Sequence, residues 1–119
     1  MNTILVVDDN EEILELTKIL LEREDYKLIL AKNGDEALQS VNKYEVDLIL
    51  LDAVIPSING LDVCRILKKG NKTKNIPVIM FSTFGEGVKT MFDDELQPDD
   101  YLGKPFSKHI LLKKIRTFL

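Results

Sequence analysis

Two short stretches of the chain are apolar at every position, and they limit the folds that the chain can adopt. Residues 49–51 read Ile-Leu-Leu and residues 78–80 read Val-Ile-Met, so neither stretch has a polar side chain to turn toward water. Such runs are typical of strands that are covered on both faces, as in a parallel sheet. Together with the other β-rich runs they predict five strands, at residues 3–7, 27–31, 47–51, 77–81 and 100–102.

Helical patterns alternate with these strands and place the chain in the α/β class. We predict five helices, at residues 11–23, 35–43, 61–69, about 85–96 and 108–118. Five strand-then-helix units imply right-handed crossovers and a doubly wound, five-stranded parallel sheet. Candidate N-cap residues stand at the helix starts, namely Asp8 or Asp9, Asn33, Asn59 and Ser107.

Length and composition indicate one globular domain over residues 1–119. The hydrophobic fraction of 45% and the charged fraction of 30% are ordinary for a soluble domain. The sequence contains no apolar run near the ~18 residues of a membrane span and no recognisable signal peptide. The net charge of −4 argues against direct nucleic-acid binding, and the single cysteine, Cys64, fits a reducing compartment. We therefore expect a cytoplasmic domain that binds neither a membrane nor nucleic acid.

Acidic residues follow two of the predicted strands. For five strands we expect the order 2-1-3-4-5, the flavodoxin-like order, whose ligand crevice opens at the carboxyl ends of strands 1 and 3. Asp8 and Asp9 follow strand 1, and Asp52 follows strand 3. The three carboxylates are therefore predicted to converge at the point where the winding of the sheet reverses.

Converging carboxylates repel one another unless a cation compensates their charge. Oxygen ligands favour Mg²⁺ or Ca²⁺ over softer metals. A carboxylate is also a nucleophile toward phosphorus, so one of the three acids is a candidate acceptor while the others hold the ion. The simpler alternatives are that Asp8 and Asp9 only cap the first helix and that Asp52 only ends a strand.

Two further residues at strand ends suit phosphoryl transfer. Lys104 follows strand 5 and offers a compact positive charge, and Ser82 follows strand 4 and offers a hydroxyl donor. Phosphoryl transfer requires that negative charge be met from several sides. The acid pair, the single acid, the hydroxyl and the amine therefore form a set that is more specific than any one member.

These residues, in this order and spacing, resemble the receiver domains of the response regulators of two-component signalling. The resemblance covers essentially all 119 residues, and the chain is similar to the single-domain chemotaxis and sporulation regulators. The matching segments are residues 4–10 (Ile-Leu-Val-Val-Asp-Asp-Asn), 51–56 (Leu-Asp-Ala-Val-Ile-Pro) with Gly60 beyond, Ser82, and 100–106 (Asp-Tyr-Leu-Gly-Lys-Pro-Phe).

The resemblance implies a role for each of these residues. Asp52 would accept a phosphoryl group from a histidine kinase or a phosphotransfer protein. Mg²⁺ would lie on Asp9, Asp52 and the backbone carbonyl of Val54, with Asp8 assisting through water. Lys104 would contact the phosphoryl group, and the peptide bond between Lys104 and Pro105 would be cis.

The resemblance also implies a conformational switch. Ser82 would move toward the phosphoryl group, and Tyr101 would follow it inward. This movement would reshape the output face, which we define as the predicted helix at about 85–96, the strand at 100–102 and the helix at 108–118. An output domain or a target protein would bind that face. The domain would thus be a signalling module rather than an enzyme that acts on other substrates.

The sequence departs from the family pattern in three places, and these differences change what we expect of the site. The residue after Ser82 is usually very small, but here it is Thr83, and Gln97-Pro98 replaces a common Gly-Ala before strand 5. The variable positions two residues after Asp52 and Ser82 are Val54 and Phe84, both apolar. Because neither side chain can orient an attacking water, we expect slow self-dephosphorylation.

Three rival functions remain open at the level of sequence. A flavin-binding domain of the same topology needs a phosphate loop after strand 1, where this chain has acids instead. A phosphatase or phosphotransferase with an aspartyl nucleophile commonly carries Asp-x-Asp after one strand, which is missing here. The third rival is a degenerate receiver that binds partners without being phosphorylated.

Overall fold

Strands and helices alternate as predicted over residues 1–82, and a strand and a helix follow within residues 96–119. The computed structural model describes residues 1–83 and 96–119. Residues 84–95 lie outside it, so Phe84 and almost all of the predicted helix at about 85–96 are not described. The elements are β1 Thr3–Val7, α1 Glu11–Glu22, β2 Lys27–Ala31, α2 Gly34–Lys43, β3 Leu48–Asp52, α3 Gly60–Lys69, β4 Val78–Ser82, β5 Asp100–Gly103 and α4 Lys108–Phe118.

The five strands form one parallel sheet in the order β2-β1-β3-β4-β5, which confirms the predicted order. In the register of this sheet Val7 pairs with Leu51, and Asp52 pairs with Phe81. Because parallel strands end at the same edge, the residues that follow β1 and end β3 meet at that edge. The doubly wound topology thus brings Asp8 beside Asp52, although 44 positions separate them in the sequence.

Two apolar layers cover the two faces of the sheet and explain why its strands have no polar face. Leu5 and Val7 pack in one layer with residues of α2 and α3, whereas Ile4 and Val6 pack in the other layer with residues of α1 and α4. This alternation follows from the two-residue period of a strand. Both faces are buried, as the continuous apolar runs predict.

Some predicted strand ends were wrong by one residue, and the difference concerns the site. β3 and β4 both begin and end one residue later than predicted, so Asp52 and Ser82 are the last residues of their strands. The sheet hydrogen bonding continues beyond Asp52, because the backbone N–H of Ala53 donates to the carbonyl of Phe81 (3.2 Å). β5 also extends by one residue, to Gly103.

The helix starts match the predicted caps at three of four positions. Asn33, Asn59 and Ser107 each accept a hydrogen bond from a first-turn backbone N–H, although α2 and α3 begin one residue earlier than predicted. The cap of α1 was predicted wrongly. Asn10 fills that position, because its side-chain oxygen accepts from the backbone N–H groups of Glu12 and Ile13.

The surface of α1 is more apolar than a helix packed on one side requires. Leu16 and Ile19 are 52% and 47% exposed, so part of the apolar face of α1 is not covered by the described residues. Cys64 is buried in the core, and burial raises the pKa of its thiol to about 12.

None of the helices within residues 1–83 and 96–119 has the length and apolar character needed to cross a bilayer.

Candidate acidic phosphoacceptor site

Three carboxylates meet at the carboxyl edge of the sheet. Asp8 and Asp9 follow β1, Asp52 ends β3, and one oxygen of each lies within 4.8 Å of the other two. Asp8 and Asp52 are buried, whereas Asp9 is exposed at the rim. The predicted convergence of the three acids is therefore present in the structure.

The position of Asp8 depends on the cap of α1. Since Asn10 satisfies the first-turn amides, neither acid is needed for capping. Asp8 Oδ1 instead accepts from the backbone N–H of Asn10 (2.9 Å), which fixes the carboxylate at the start of the loop. Its second oxygen, Oδ2, is left to face the centre of the cluster.

Lys104 provides the positive charge between the buried acids. Its Nζ lies 2.7 Å from Asp8 Oδ2 and 2.9 Å from Asp52 Oδ2. The other oxygen of Asp52, Oδ1, accepts from the backbone N–H of Val54 (3.1 Å). Buried carboxylates are costly without such partners, and removing one partner of a buried pair typically costs about 3–5 kcal/mol. The ammonium group therefore holds β1, β3 and the segment after β5 together.

The pKa values of the pair follow from burial and mutual contact. Burial raises the pKa of Asp52 above its ordinary value and the charge of Asp8 adds to this, while hydrogen bonds from Lys104 and Val54 oppose it. Burial alone would lower the pKa of Lys104, but its hydrogen bonds to Asp8 and Asp52 outweigh burial and raise the pKa. Lys104 is therefore a firmly charged ammonium group at neutral pH.

Backbone contacts hold Lys104 at the end of β5. Its N–H donates to the carbonyl of Ser82 (2.8 Å), which ties the segment after β5 to the end of β4. The peptide bond to Pro105 is cis, as the resemblance implies. Lys104 Nζ also lies over the ring of Phe81, 4.7 Å from its centroid. The sequence motifs do not single out Phe81, although it is an aromatic residue directly before Ser82 at the end of a strand.

The remaining predicted site residues lie around this centre. Ser82 is buried at the end of β4, and Val54 is 69% exposed beside the site. Thr83 is exposed in the turn after β4. Tyr101 is buried, and its hydroxyl donates to Gln97 Oε1 (2.6 Å). Gln97 belongs to the Gln97-Pro98 pair that departs from the family pattern.

Gly60 permits a close approach of two backbones under the acceptor. A Cβ atom at this position would lie 2.0 Å from the carbonyl oxygen of Asp52. The N–H of Gly60 donates to the carbonyl of Ala53 (3.1 Å), so the start of α3 folds directly against the end of β3. Only a residue without a side chain fits this contact, which explains the glycine of the motif.

The donor set fits a small hard cation. All three converging side chains offer carboxylate oxygens, which are the ligands that Mg²⁺ prefers, and the exposed Asp9 leaves the cluster open on one side. Of the three acids, Lys104 is bonded to Asp8 and Asp52. The arrangement thus joins a cation-binding edge, a buried carboxylate and a fixed ammonium group.

Comparison with known proteins identifies the family that this fold and site define. The chain belongs to the response regulator receiver domain family, whose model matches residues 4–116. The match covers both acid-bearing strands, Ser82 and Lys104, so all the described site residues fall within it.

Individual relatives agree with this assignment. The chain is 40% identical over 119 residues to the transcriptional regulatory protein CpxR of Escherichia coli, and this covers 100% of the chain and 50% of CpxR. The response regulator TrrA of Thermotoga maritima, solved in complex with Mg(2+)-BeF, is 34% identical, with a TM-score of 0.88 and 100% coverage of both chains. The chemotaxis response regulator CheY4 of Vibrio cholerae is 27% identical, with a TM-score of 0.92 and coverage of 100% and 99%. The chain spans about half the length of the curated relatives that it matches.

We predict that Gly60→Ala lowers the free energy of unfolding by about 2–3 kcal/mol, because the added methyl group meets backbone atoms that cannot rotate away. Urea unfolding followed by circular dichroism measures this loss. Gly70→Ala is the matched control, since its Cβ would meet the side-chain oxygen of Thr73 rather than backbone. Equal losses in the two variants would show that the approach of Gly60 to Asp52 is not a special constraint.

Proposed function

We propose that residues 1–119 act as one receiver domain in which Asp52 accepts a phosphoryl group from a phosphohistidine of a partner protein. The observation that supports this most strongly is the position of Asp52, which is buried at the edge of the sheet beside Asp8 and bonded to Lys104. The donor is a histidine kinase or a phosphotransfer protein, since family membership implies one or the other.

The chemistry assigned to Asp52 is nucleophilic displacement at phosphorus. A carboxylate oxygen of Asp52 forms a bond to phosphorus while the bond between phosphorus and the donor imidazole nitrogen breaks. The bonding electrons return to the imidazole, which takes up a proton as it leaves. The product is an acyl phosphate on Asp52. A phosphoaccepting role of this kind requires no other substrate to be processed by the domain.

The three acids are the proposed Mg²⁺ site. Asp9, Asp52 and the backbone carbonyl of Val54 would hold the ion, and Asp8 would assist through water. The bound ion would offset the negative charge that gathers when a phosphoryl group approaches three carboxylates. The oxygen-only donor set supports this, as does the Mg(2+)-BeF complex of the similar regulator TrrA.

Lys104 and Ser82 are the proposed partners of the phosphoryl oxygens. The Lys104 ammonium already touches the acceptor carboxylate, so it is within reach of a group bound to Asp52. Ser82 ends the neighbouring strand, and its hydroxyl is the proposed second donor. Both contacts would be worth most in the buried part of the site, where water screens charge less.

Phosphorylation is proposed to alter the output face through Ser82 and Tyr101. Tyr101 lies in β5, which pairs with β4, the strand that ends at Ser82. We propose that it relays a movement of Ser82 to the rest of β5. The longer curated relatives are named as regulators of transcription, and the chain matches about half of their length. We propose that an output domain or a target protein reads the change at this face.

The cluster argues against two of the three rival functions, the flavin-binding domain and the degenerate receiver. A flavin phosphate at this edge would face Asp8, Asp9 and Asp52, and like charges at such distances repel strongly. A degenerate receiver would have no need to retain a lysine ammonium bonded to two buried carboxylates. The geometry therefore supports a phosphoacceptor over either alternative.

We expect wild-type protein incubated with acetyl phosphate and Mg²⁺ to gain an adduct of about 80 Da, the mass of one phosphoryl group. Asp52→Asn should gain none, because an amide cannot act as the nucleophile. Intact-protein mass spectrometry measures both, and mild base should remove the adduct.

Asp25→Asn is the matched control for this experiment. Asp25 is exposed between α1 and β2, at the edge of the sheet opposite the site, and its φ of 65° is one that asparagine tolerates. This variant should be phosphorylated like the wild type. A wild-type protein without an adduct would contradict the proposed function, and an adduct on Asp52→Asn would contradict the choice of acceptor.

We also expect slow loss of the phosphoryl group, because Val54 is exposed beside Asp52 and is apolar. The double substitution Val54→Asn with Phe84→Glu should speed the loss about fivefold, the equivalent of one ~1 kcal/mol hydrogen bond to the attacking water. Decay of the adduct after removal of the donor measures this rate.

The alanine pair, Val54→Ala with Phe84→Ala, is the control for that prediction. It shortens both side chains without adding a group that orients water, so it should speed the loss less than the polar pair. An unchanged decay rate in the polar pair would show that these positions do not set the lifetime of the phosphoryl group.

A further inference from the structure

Within the described part of the chain, the ammonium group of Lys104 has three neighbouring side chains, two acids and an aromatic ring. Two are the carboxylates of Asp8 and Asp52, at 2.7 and 2.9 Å. The third is the ring of Phe81, whose centroid lies 4.7 Å from Nζ. The face of an aromatic ring carries partial negative charge and attracts a cation at this distance. A ring contact and two ion pairs therefore act on the same charge.

The sheet and its packing hold the Phe81 ring in place. Phe81 is 2% exposed, and it pairs directly with Asp52 across β3 and β4. Its ring meets the ring of Phe106 edge to face, with centroids 6.3 Å apart and an angle of 88° between the planes. Edge-to-face packing is a favoured arrangement of aromatic pairs, so the second ring restrains the first.

We propose that Phe81 is a positioning residue for Lys104 and holds its ammonium group beside Asp52 through the face of the aromatic ring. This inference rests on the proposed function of Asp52 as the phosphoacceptor. Phe81 would thus act electrostatically, by attracting the Lys104 ammonium group, as well as filling space in the apolar core.

The two carboxylates cannot hold Lys104 in place throughout the reaction. A divalent cation at the acidic cluster would compete with the ammonium group for the oxygens of Asp8 and Asp52. Phosphorylation of Asp52 would also convert one of its oxygens into the bridging oxygen of an acyl phosphate. The ring of Phe81 takes part in neither change, because it carries no ligand atom and does not react. It is the one of the three neighbours whose attraction for Lys104 persists.

The direction of the attraction also matters. Asp8 follows β1, whereas Phe81 lies in β4, on the opposite side of β3. Asp8 thus draws the ammonium group toward the acid pair, and the ring draws it toward the β4 side of Asp52. That side is where Ser82, the other proposed donor to the phosphoryl oxygens, is located.

A purely structural role for Phe81 and an electrostatic role predict different effects of the electron density of the ring on phosphorylation. If the ring only fills the core, its volume matters and its electron density does not. If the ring attracts Lys104, withdrawing electron density from its face weakens the contact while the shape stays nearly constant. Fluorinated phenylalanines separate these two effects, because each fluorine removes electron density with little change in size.

The test replaces Phe81 in the full chain by 4-fluoro-, 3,5-difluoro- and 3,4,5-trifluorophenylalanine through codon suppression. The measured quantity is the initial rate of phosphorylation by acetyl phosphate with Mg²⁺. We expect a graded decrease that reaches about fivefold with three fluorines. The same series at Phe118, which packs against the same apolar layer from α4, is the control and should leave the rate unchanged.

A rate that is flat across the Phe81 series, or that falls equally in the Phe118 series, would overturn the proposal. Urea unfolding of each variant checks that the free energy of unfolding is retained. Phe81→Leu keeps an apolar side chain and should be slower than any fluorinated variant, since it removes the ring face altogether.

A second measurement tests the contact without phosphorylation or metal. Protons above an aromatic face are shifted upfield by the ring current, so the Lys104 ε-methylene signal should lie upfield of the other lysines in NMR spectra. The shift should vanish in Phe81→Leu, and a wild-type signal at the ordinary position would overturn the contact. If the wild type shows the shift but accepts no phosphoryl group, the proposed function fails while the contact stands.

Discussion

The structure depends on a charge balance at one edge of the sheet. Two buried carboxylates, Asp8 and Asp52, share the ammonium group of Lys104, and each would be costly to bury alone. These residues come from the ends of three strands and lie up to 96 positions apart in sequence. The apolar layers on both faces of the sheet exclude water from their surroundings. The same burial that makes the charges costly makes them strongly responsive to a change at Asp52.

The fold supplies this balance through a few local devices. The parallel register places the end of β1 beside the end of β3, and Gly60 allows α3 to start against the carbonyl of Asp52. Asn10 caps α1 and so leaves both neighbouring acids to the site. Phe81 adds a ring face to the environment of Lys104. We propose that a bound cation, the Lys104 ammonium group and a phosphoryl group each act as a partner of Asp52 at different stages. Family membership and the three carboxylate donors support this.

Much of this architecture could be predicted from the sequence, because the relevant signals are local or topological. Continuous apolar runs predict buried parallel strands, and the order of strands then places Asp8 and Asp52 together. The predicted N-cap of α1 was wrong because Asp8, Asp9 and Asn10 are all residue types that cap helices well. Only the path of the backbone decides which of them takes that position. The contact of Phe81 with Lys104 could not be predicted, since it depends on the course of a long side chain across two strands.

The most direct test of the account is the identity of the phosphorylated residue. Reduction of the phosphorylated protein with borohydride converts an aspartyl phosphate into homoserine, which survives digestion with trypsin. Asp52 falls in the tryptic peptide of residues 44–65, and Asp8 and Asp9 fall in that of residues 1–18. Tandem mass spectrometry should find homoserine at position 52. Homoserine at position 8 or 9, or in neither peptide of a protein that carries the adduct, would contradict the account.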